Sequence, residues 1–204
     1  MRVTFWLADR PLVLASASQI RRNILEAAGI PLELRPADID ERAVEQQAGS
    51  LSPVAVAALL ADAKAASVAA NLPGRIVVGA DQTLALGSQR FTKPADRERA
   101  REQLTQLRGR SHELHSAVAV YRDGVAVFQH LETARLRMRQ FSDAFLETYL
   151  DEVGPAAYSS VGGYQIEGAG IHLFDRIEGD YFTILGLPLL PLLRFFREAG
   201  FTVS

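Results

Sequence analysis

Two charged residues, Asp81 and Lys93, bracket a bend in the apolar segment RIVVGADQTLALGSQRFTKP, which runs from Arg75 to Pro94. Ile76-Val77-Val78 climb to Gly79-Ala80 and deliver the carboxylate; Gly87-Ser88 then supply a turn, and Arg90 to Pro94 a returning arm. A carboxylate set in an apolar strand is costly to bury without a partner cation or a metal. A carboxylate and an ammonium near one bend suit an anionic substrate that carries a divalent metal. They equally suit a surface salt bridge on a hairpin, and this stretch alone leaves both readings open.

Other segments carry residues of the same chemistry. Ser16-Ala17-Ser18 end a short apolar strand, Pro11 to Ala15, and open a helix whose Ile24, Leu25 and Ala28 share a face closed by Gly29. A serine-rich helix start favours an anion through its free N–H groups and dipole, and Arg21 lies within reach of the same place. An ordinary capped helix with solvated arginines reads the same way. Asp38, Asp40 and Glu41 form an acidic cluster, either a solvated loop or a source of one metal-binding carboxylate. Lys64 sits in LLADAKA inside a long helix opened by Ser52-Pro53, where a lysine is ordinarily exposed. Glu167 lies in the glycine-rich run 159–170, SSVGGYQIEGAG, which matches neither a Walker A loop nor a dinucleotide fingerprint. Glycines around an acid mark the close approach of a ligand or of another strand. His112 and His115, three apart in a strand, point to opposite faces and are expected to be structural or surface residues, not a shared metal site.

The elements that must position these residues run strand, helix, strand, helix, strand, helix, then a hairpin turned at Asp123-Gly124, with helices after it. Strands are also expected over 171–174 and 181–185, and a last helix from Leu187-Pro188 to Ala199-Gly200. This is an α/β or α+β domain with a mixed sheet. A chain of 204 residues with 48% hydrophobic content buries a full core, and one domain over 1–204, with two lobes at most, is expected.

Lys and Arg total 22 against 24 acids, a net charge of −2, so a broad nucleic-acid or membrane surface is not expected. Any polyanion must be met by locally placed cations. The absence of cysteine excludes disulfides, thiolate catalysis and cysteine metal sites. The first residues are charged too soon for a secretory signal, and the apolar stretch 184–193 is broken by Pro188 and Pro191. A soluble cytoplasmic protein is the expectation.

Taken together, LASASQIRRNILEAAGI, DIDE, LLADAKA, GADQ, Lys93-Pro94, LRGRSHE, GGYQIEG and GLPL resemble, in order and spacing, the motifs of the Maf family of nucleotide pyrophosphatases. The resemblance runs from Leu12 to about Phe196. It implies an elongated mixed β-sheet flanked by helices, with two lobes around a central cleft, as in the inosine-triphosphate-pyrophosphatase-like folds. It implies hydrolysis of the α–β phosphoanhydride of a nucleoside triphosphate, with a divalent cation (Mg²⁺, Mn²⁺ or Co²⁺) as cofactor and a homodimer as a candidate assembly. By the same resemblance Asp81 is the proton acceptor, and Glu41 and Asp81 hold the metal. Ser16, Arg21, Lys64 and Lys93 face the triphosphate.

Gln82 and Glu167 match the branch of the family that resembles 7-methyl-GTP pyrophosphatases; the dTTP/UTP branch has Thr and Gln at these positions. An ionised Glu only accepts hydrogen bonds, which suits the adjacent N–H groups of guanine. Ile20 departs from that branch, which carries an aromatic residue there. This lowers the expected preference for a cationic, methylated base and leaves a guanine-like or broader range open. A dTTP/UTP pyrophosphatase and a nucleotide-binding regulator of cell division with little hydrolysis are the alternatives.

Overall fold

The computed structural model describes residues 5–203. Seven strands form one mixed sheet in the order β2-β1-β3-β5-β6-β7, with β4 paired to β3. The strands are β1 (Leu12–Leu14), β2 (Leu32–Leu34), β3 (Ile76–Leu86), β4 (Gln89–Phe91), β5 (Ser111–Arg122), β6 (Val125–Met138) and β7 (Phe174–Glu178). The helices are α1 (Gln19–Ala27), α2 (Glu41–Ala48), α3 (Pro53–Ala69), α4 (Arg97–Leu107), α5 (Asp143–Val153), α6 (Tyr181–Ile184) and α7 (Leu189–Glu198). The chain divides into two compact units: residues 1–82, 115–132 and 180–204, and residues 83–114 and 133–179.

In the first unit β1 lies parallel to both β2 and β3, with Leu14 opposite Leu34 and Val78. Parallel neighbours require crossovers, and α1 supplies the one from β1 to β2. Leu12, Leu14, Leu25, Ile30, Val78, Val120 and Phe196 build the core between sheet and helices. Trp6 meets Phe196 edge to face at 5.4 Å. Phe195, the other aromatic residue of α7, packs against the same cluster, so this helix serves the core.

Gly79 sets the distance between β3 and α3. A Cβ there would stand 2.3 Å from the Ala61 carbonyl oxygen and 2.6 Å from the Ala65 nitrogen, so only glycine permits the contact. The small residues Ala57, Ala61 and Ala65, spaced one turn apart and buried, present the matching helix surface.

The second unit is built on α4, whose Ala100, Leu104 and Leu107 are buried at helical spacing. Gly163 turns at φ +77 beside Leu104, and its carbonyl accepts from the Tyr149 hydroxyl at 3.1 Å. The His112 ring, on β5, meets the Tyr164 hydroxyl at 2.7 Å and packs near Phe174.

Several expectations are corrected. Where a strand is expected over 181–185, Tyr181–Ile184 form the helix α6, because the Asp180 carboxylate accepts from the N–H groups of Phe182 and Thr183, both at 3.0 Å, and closes a helical turn. Residues Ala169–Leu173 form a 3-10 turn, and the strand begins at Phe174. The acidic cluster is a helix start, in which Asp40 caps α2 and Glu41 is its first residue. Of the two alternatives for His112 and His115, structural or surface, burial of both gives the structural one. Among the described residues no helix is long and apolar enough to cross a membrane.

Candidate functional site

Two carboxylates converge on one ammonium. The Lys64 side chain, from α3, donates to Asp81 Oδ1 at 2.6 Å and reaches Glu41 Oε1 at 2.8 Å. The geometry follows from the local sequence. Gly79 and Asp81 share one face of β3 by strand alternation. The close packing of Gly79 on Ala61 and Ala65 therefore draws Lys64 onto the carboxylate two residues further along the strand. Lys64, expected to be an exposed helix lysine, has only 12% of its side chain exposed, as does Asp81, whereas Glu41 is open to 49%.

On the other side of β3, Arg21 sits fully inside. Its Nε donates to the Gly186 carbonyl at 2.8 Å, and its Nη1 donates to Ser16 Oγ at 3.1 Å and the Ala80 carbonyl at 2.8 Å. Ser18 caps α1, and its hydroxyl accepts from the Arg21 N–H, so the serine-rich segment is a true helix start. β1 and β3 are parallel neighbours with Leu14 opposite Val78, so Ser16 lies just past the carboxyl end of β1, and Ala80-Asp81, midway along β3, lie just past the stretch paired to it, on the side where open parallel sheets place their ligands.

The charges feel one another through little water. Burial, the largest influence, raises the Asp81 pKa above the ordinary carboxylate value; the charges of Lys64 and Arg21 and the Lys64 hydrogen bond oppose it, and Glu41 adds to it. Burial also lowers the Arg21 pKa from its usual value, while Asp81 and Glu41 raise it.

Ser16, Arg21, Glu41, Lys64, Asp81 and Gln82 are thus gathered in the first unit, most of them joined by direct hydrogen bonds or ion pairs. Ile20 is half-buried against the core and carries no polar group into this cluster. Lys93 and Glu167 belong to the second unit, where both side chains are exposed: Lys93 just after β4, Glu167 between two 3-10 turns.

The residues that sequence reading missed are Ser116, Glu132, Asp180 and Thr183, which bond to Gln82 or to one another. The Asp180-x-x-Thr183 spacing ahead of Gly186 is a helix-start signal and was the available clue.

Among the described residues no three His, Asp or Glu side chains gather as a metal cage. The fit to a divalent cation rests instead on the paired carboxylates. The Lys64 ammonium already marks a point where Glu41 and Asp81 together hold positive charge. Two carboxylates, with phosphate oxygens and water completing the shell, are a donor set that a hard cation accepts.

The chain matches the family model described as Maf-like protein over residues 11–199. It is 58% identical over 196 residues to a protein of Rhodopseudomonas palustris BisB18 named nucleoside triphosphate pyrophosphatase, covering 96% of this chain and 97% of that one. A protein of Bradyrhizobium diazoefficiens with the same name is 55% identical over 193 residues, covering 95% and 96%. A Rhizobium meliloti protein named 7-methyl-GTP pyrophosphatase is 51% identical over 191 residues, covering 93% and 96%. Among solved structures, the Ham1 protein of Staphylococcus aureus aligns over 63% of this chain and 72% of its own, at 16% identity and a TM-score of 0.43. With a family model spanning nearly its whole length and relatives this similar end to end, the chain belongs to the Maf family.

Proposed function

We propose that this protein is a nucleoside triphosphate pyrophosphatase, cleaving the α–β phosphoanhydride to a nucleoside monophosphate and pyrophosphate. The observation that carries the reading is the buried Asp81–Lys64 pair, with Glu41 on the same ammonium and Arg21 hydrogen-bonded to the carbonyl of the residue before Asp81. Relatives above 50% identity named nucleoside triphosphate pyrophosphatase support it.

Phosphoryl transfer asks the protein chiefly for positioning and charge. Lys64 and Arg21 supply fixed cations, and Arg21 is held by protein carbonyls, so its guanidinium keeps one orientation through turnover. Asp81, with a pKa lifted by burial, accepts the proton of the attacking water more readily than an exposed aspartate would. Glu41 and Asp81 would hold a divalent cation that enters with the substrate, and such a cation supplies charge neutralisation on the phosphate oxygens. Lys64, held between these two carboxylates, would set its charge beside the same phosphate oxygens.

For the base, the reading favours a guanine-like nucleotide. It rests on Gln82 and the acceptor-only Glu167, and one relative is named 7-methyl-GTP pyrophosphatase. Ile20 offers no ring to stack on.

The test is pyrophosphate release from 7-methyl-GTP, GTP, ITP, dTTP, UTP and CTP, with Mg²⁺ or Mn²⁺ and with EDTA. Release that EDTA abolishes and added metal restores, strongest with the guanine nucleotides, is the expected result. A pyrimidine-leaning ranking would keep the chemistry and discard the base assignment. Binding without release across the whole panel would favour a nucleotide-dependent regulator.

A further inference from the structure

Gln82 follows Asp81 on β3 and, by strand alternation, faces the other way. Its amide nitrogen donates to the Ile184 carbonyl at 2.9 Å, the Thr183 carbonyl at 3.1 Å and Ser116 Oγ at 2.9 Å. Backbone carbonyls only accept hydrogen bonds, so the face turned to them must be the NH₂, and Oε1 must point away.

The partners are themselves fixed. Ser116 is fully buried, and its hydroxyl donates to the Thr183 carbonyl at 2.7 Å, so towards Gln82 it can only accept. Thr183 is 1% exposed, and its hydroxyl donates to Glu132 Oε2 at 2.5 Å. Its N–H donates to the Asp180 carboxylate at 3.0 Å.

Oε1 itself is left open. Beside it lies Gly186, at φ +94, where a Cβ would stand 3.5 Å from Gln82 Oε1 and 3.4 Å from Arg21 Nη2. The missing side chain leaves the space beside Oε1 unfilled, and Gln82 is only partly buried.

We infer that Ser116 and Thr183 are positioning residues that lock the Gln82 amide, so that position 82 offers a bound nucleotide an acceptor and no donor. The ligand this selects is a nucleobase that turns an N–H or amino group to Oε1. A base presenting a carbonyl there would set two acceptors against each other with no proton between them. The inference rests on the nucleotide-hydrolysing reading and extends it, since it names what holds the selecting atom and which polarity that atom has.

Two measurements test it separately. Amide-proton NMR of the Gln82 side chain should show two distinct, slowly exchanging NH₂ signals, which the Ser116→Ala/Thr183→Val double variant makes fast-exchanging. Fast exchange in the wild type overturns the lock. On GTP, ITP, ATP, CTP, UTP and dGTP, the double variant should compress the spread of kcat/KM between bases by about tenfold, the scale of one neutral hydrogen bond. The compression should lie mainly in KM, and Thr183→Ser, which keeps the hydroxyl, should restore the spread. A uniform loss across all nucleotides with a lowered melting midpoint would mean a purely structural role and overturn the inference. A change confined to the GTP/dGTP contrast would assign Oε1 to the sugar and overturn the base assignment. Should the wild type release no pyrophosphate from any nucleotide, the hydrolytic reading fails by itself; the NMR still decides the lock, and nucleotide affinities give the base ranking.

Discussion

Lys64 and Arg97 each grip a carboxylate at nearly the same distance, 2.6 Å to Asp81 and 2.7 Å to Glu147, yet the two carboxylates respond in opposite directions. Hydrogen bonds from Arg101 and Arg97 hold Glu147 below the usual carboxylate pKa. Burial raises that of Asp81 despite its ammonium partner. The difference is water. Arg97 and Glu147 are 39% and 42% exposed and stay in contact with water, so pairing is a small net gain. Asp81 and Lys64 have lost theirs, and in such surroundings pairing only partly offsets the desolvation. A buried pair of this kind is weak evidence for stability and good evidence for a site, because a raised carboxylate pKa suits proton transfer.

The comparison is broken most forcefully at Asp81. Asp81→Asn nearly keeps the shape and removes the charge, and Lys64 retains Glu41. Turnover should fall by about 10²- to 10⁴-fold, the usual contribution of a positioned acid or base. The melting midpoint should hold or rise, since a disfavoured buried charge has gone. Steady-state pyrophosphate release and a thermal melt on the same preparation decide it. Turnover within a few-fold of wild type would remove Asp81 from the chemistry, and a large fall in melting midpoint would make the pair structural.

Much of this first region was legible beforehand, and the reasons are particular. Ser18 and Ser52 cap their helices as their positions foretell, and Gly79-Ala80 before Asp81 are the small residues that the close approach at Gly79 requires. The approaching element was α3, which no local pattern could reveal, and so Lys64 read as an ordinary exposed lysine. The 181–185 segment misled because a short apolar run fits strand and helix alike, and the Asp180 cap decided the matter. The bonds from Gln82 to residues 183 and 184 span over a hundred positions of sequence, and no spacing rule reaches that far.

The second unit meets the cost of burial by a different route, with neutrality. His112, 1% exposed, has its pKa lowered by burial to about 4 and is neutral at physiological pH. Its folded value lies below the unfolded value of 6.5, so the unfolded chain binds the extra proton between the two. The stabilisation is complete above about pH 6.5 and is lost as pH falls towards 4, with a total on the order of 3 kcal/mol. Urea unfolding followed by circular dichroism at about pH 7 and about pH 5 should show this loss in the wild type. His112→Phe, which strands the Tyr164 hydroxyl, should be weaker at neutral pH but show a flatter pH dependence. An equal slope in both proteins would place the titration elsewhere.

The smallest effect belongs to the exposed network. Glu147 accepts from Arg97 and Arg101, and Asp151 pairs with Arg97 at 2.9 Å, so the cluster ties α4 to α5 over an exposed surface. Glu147→Gln removes the charge at the centre but leaves an acceptor for one arginine, and Asp151 still compensates the other. The melting midpoint should barely move, and turnover should not change. The more telling control is salt. At low ionic strength the variant should fall slightly below wild type, and at about 1 M, where the screening length shrinks to roughly 3 Å, the gap should close. A buried pair is shielded much less, so Asp81→Asn should keep its full catalytic defect across the same salt range. A Glu147→Gln defect that persists at high salt would mean that this surface cluster is desolvated after all, and the contrast between the two lysine- and arginine-held carboxylates would lose its physical basis.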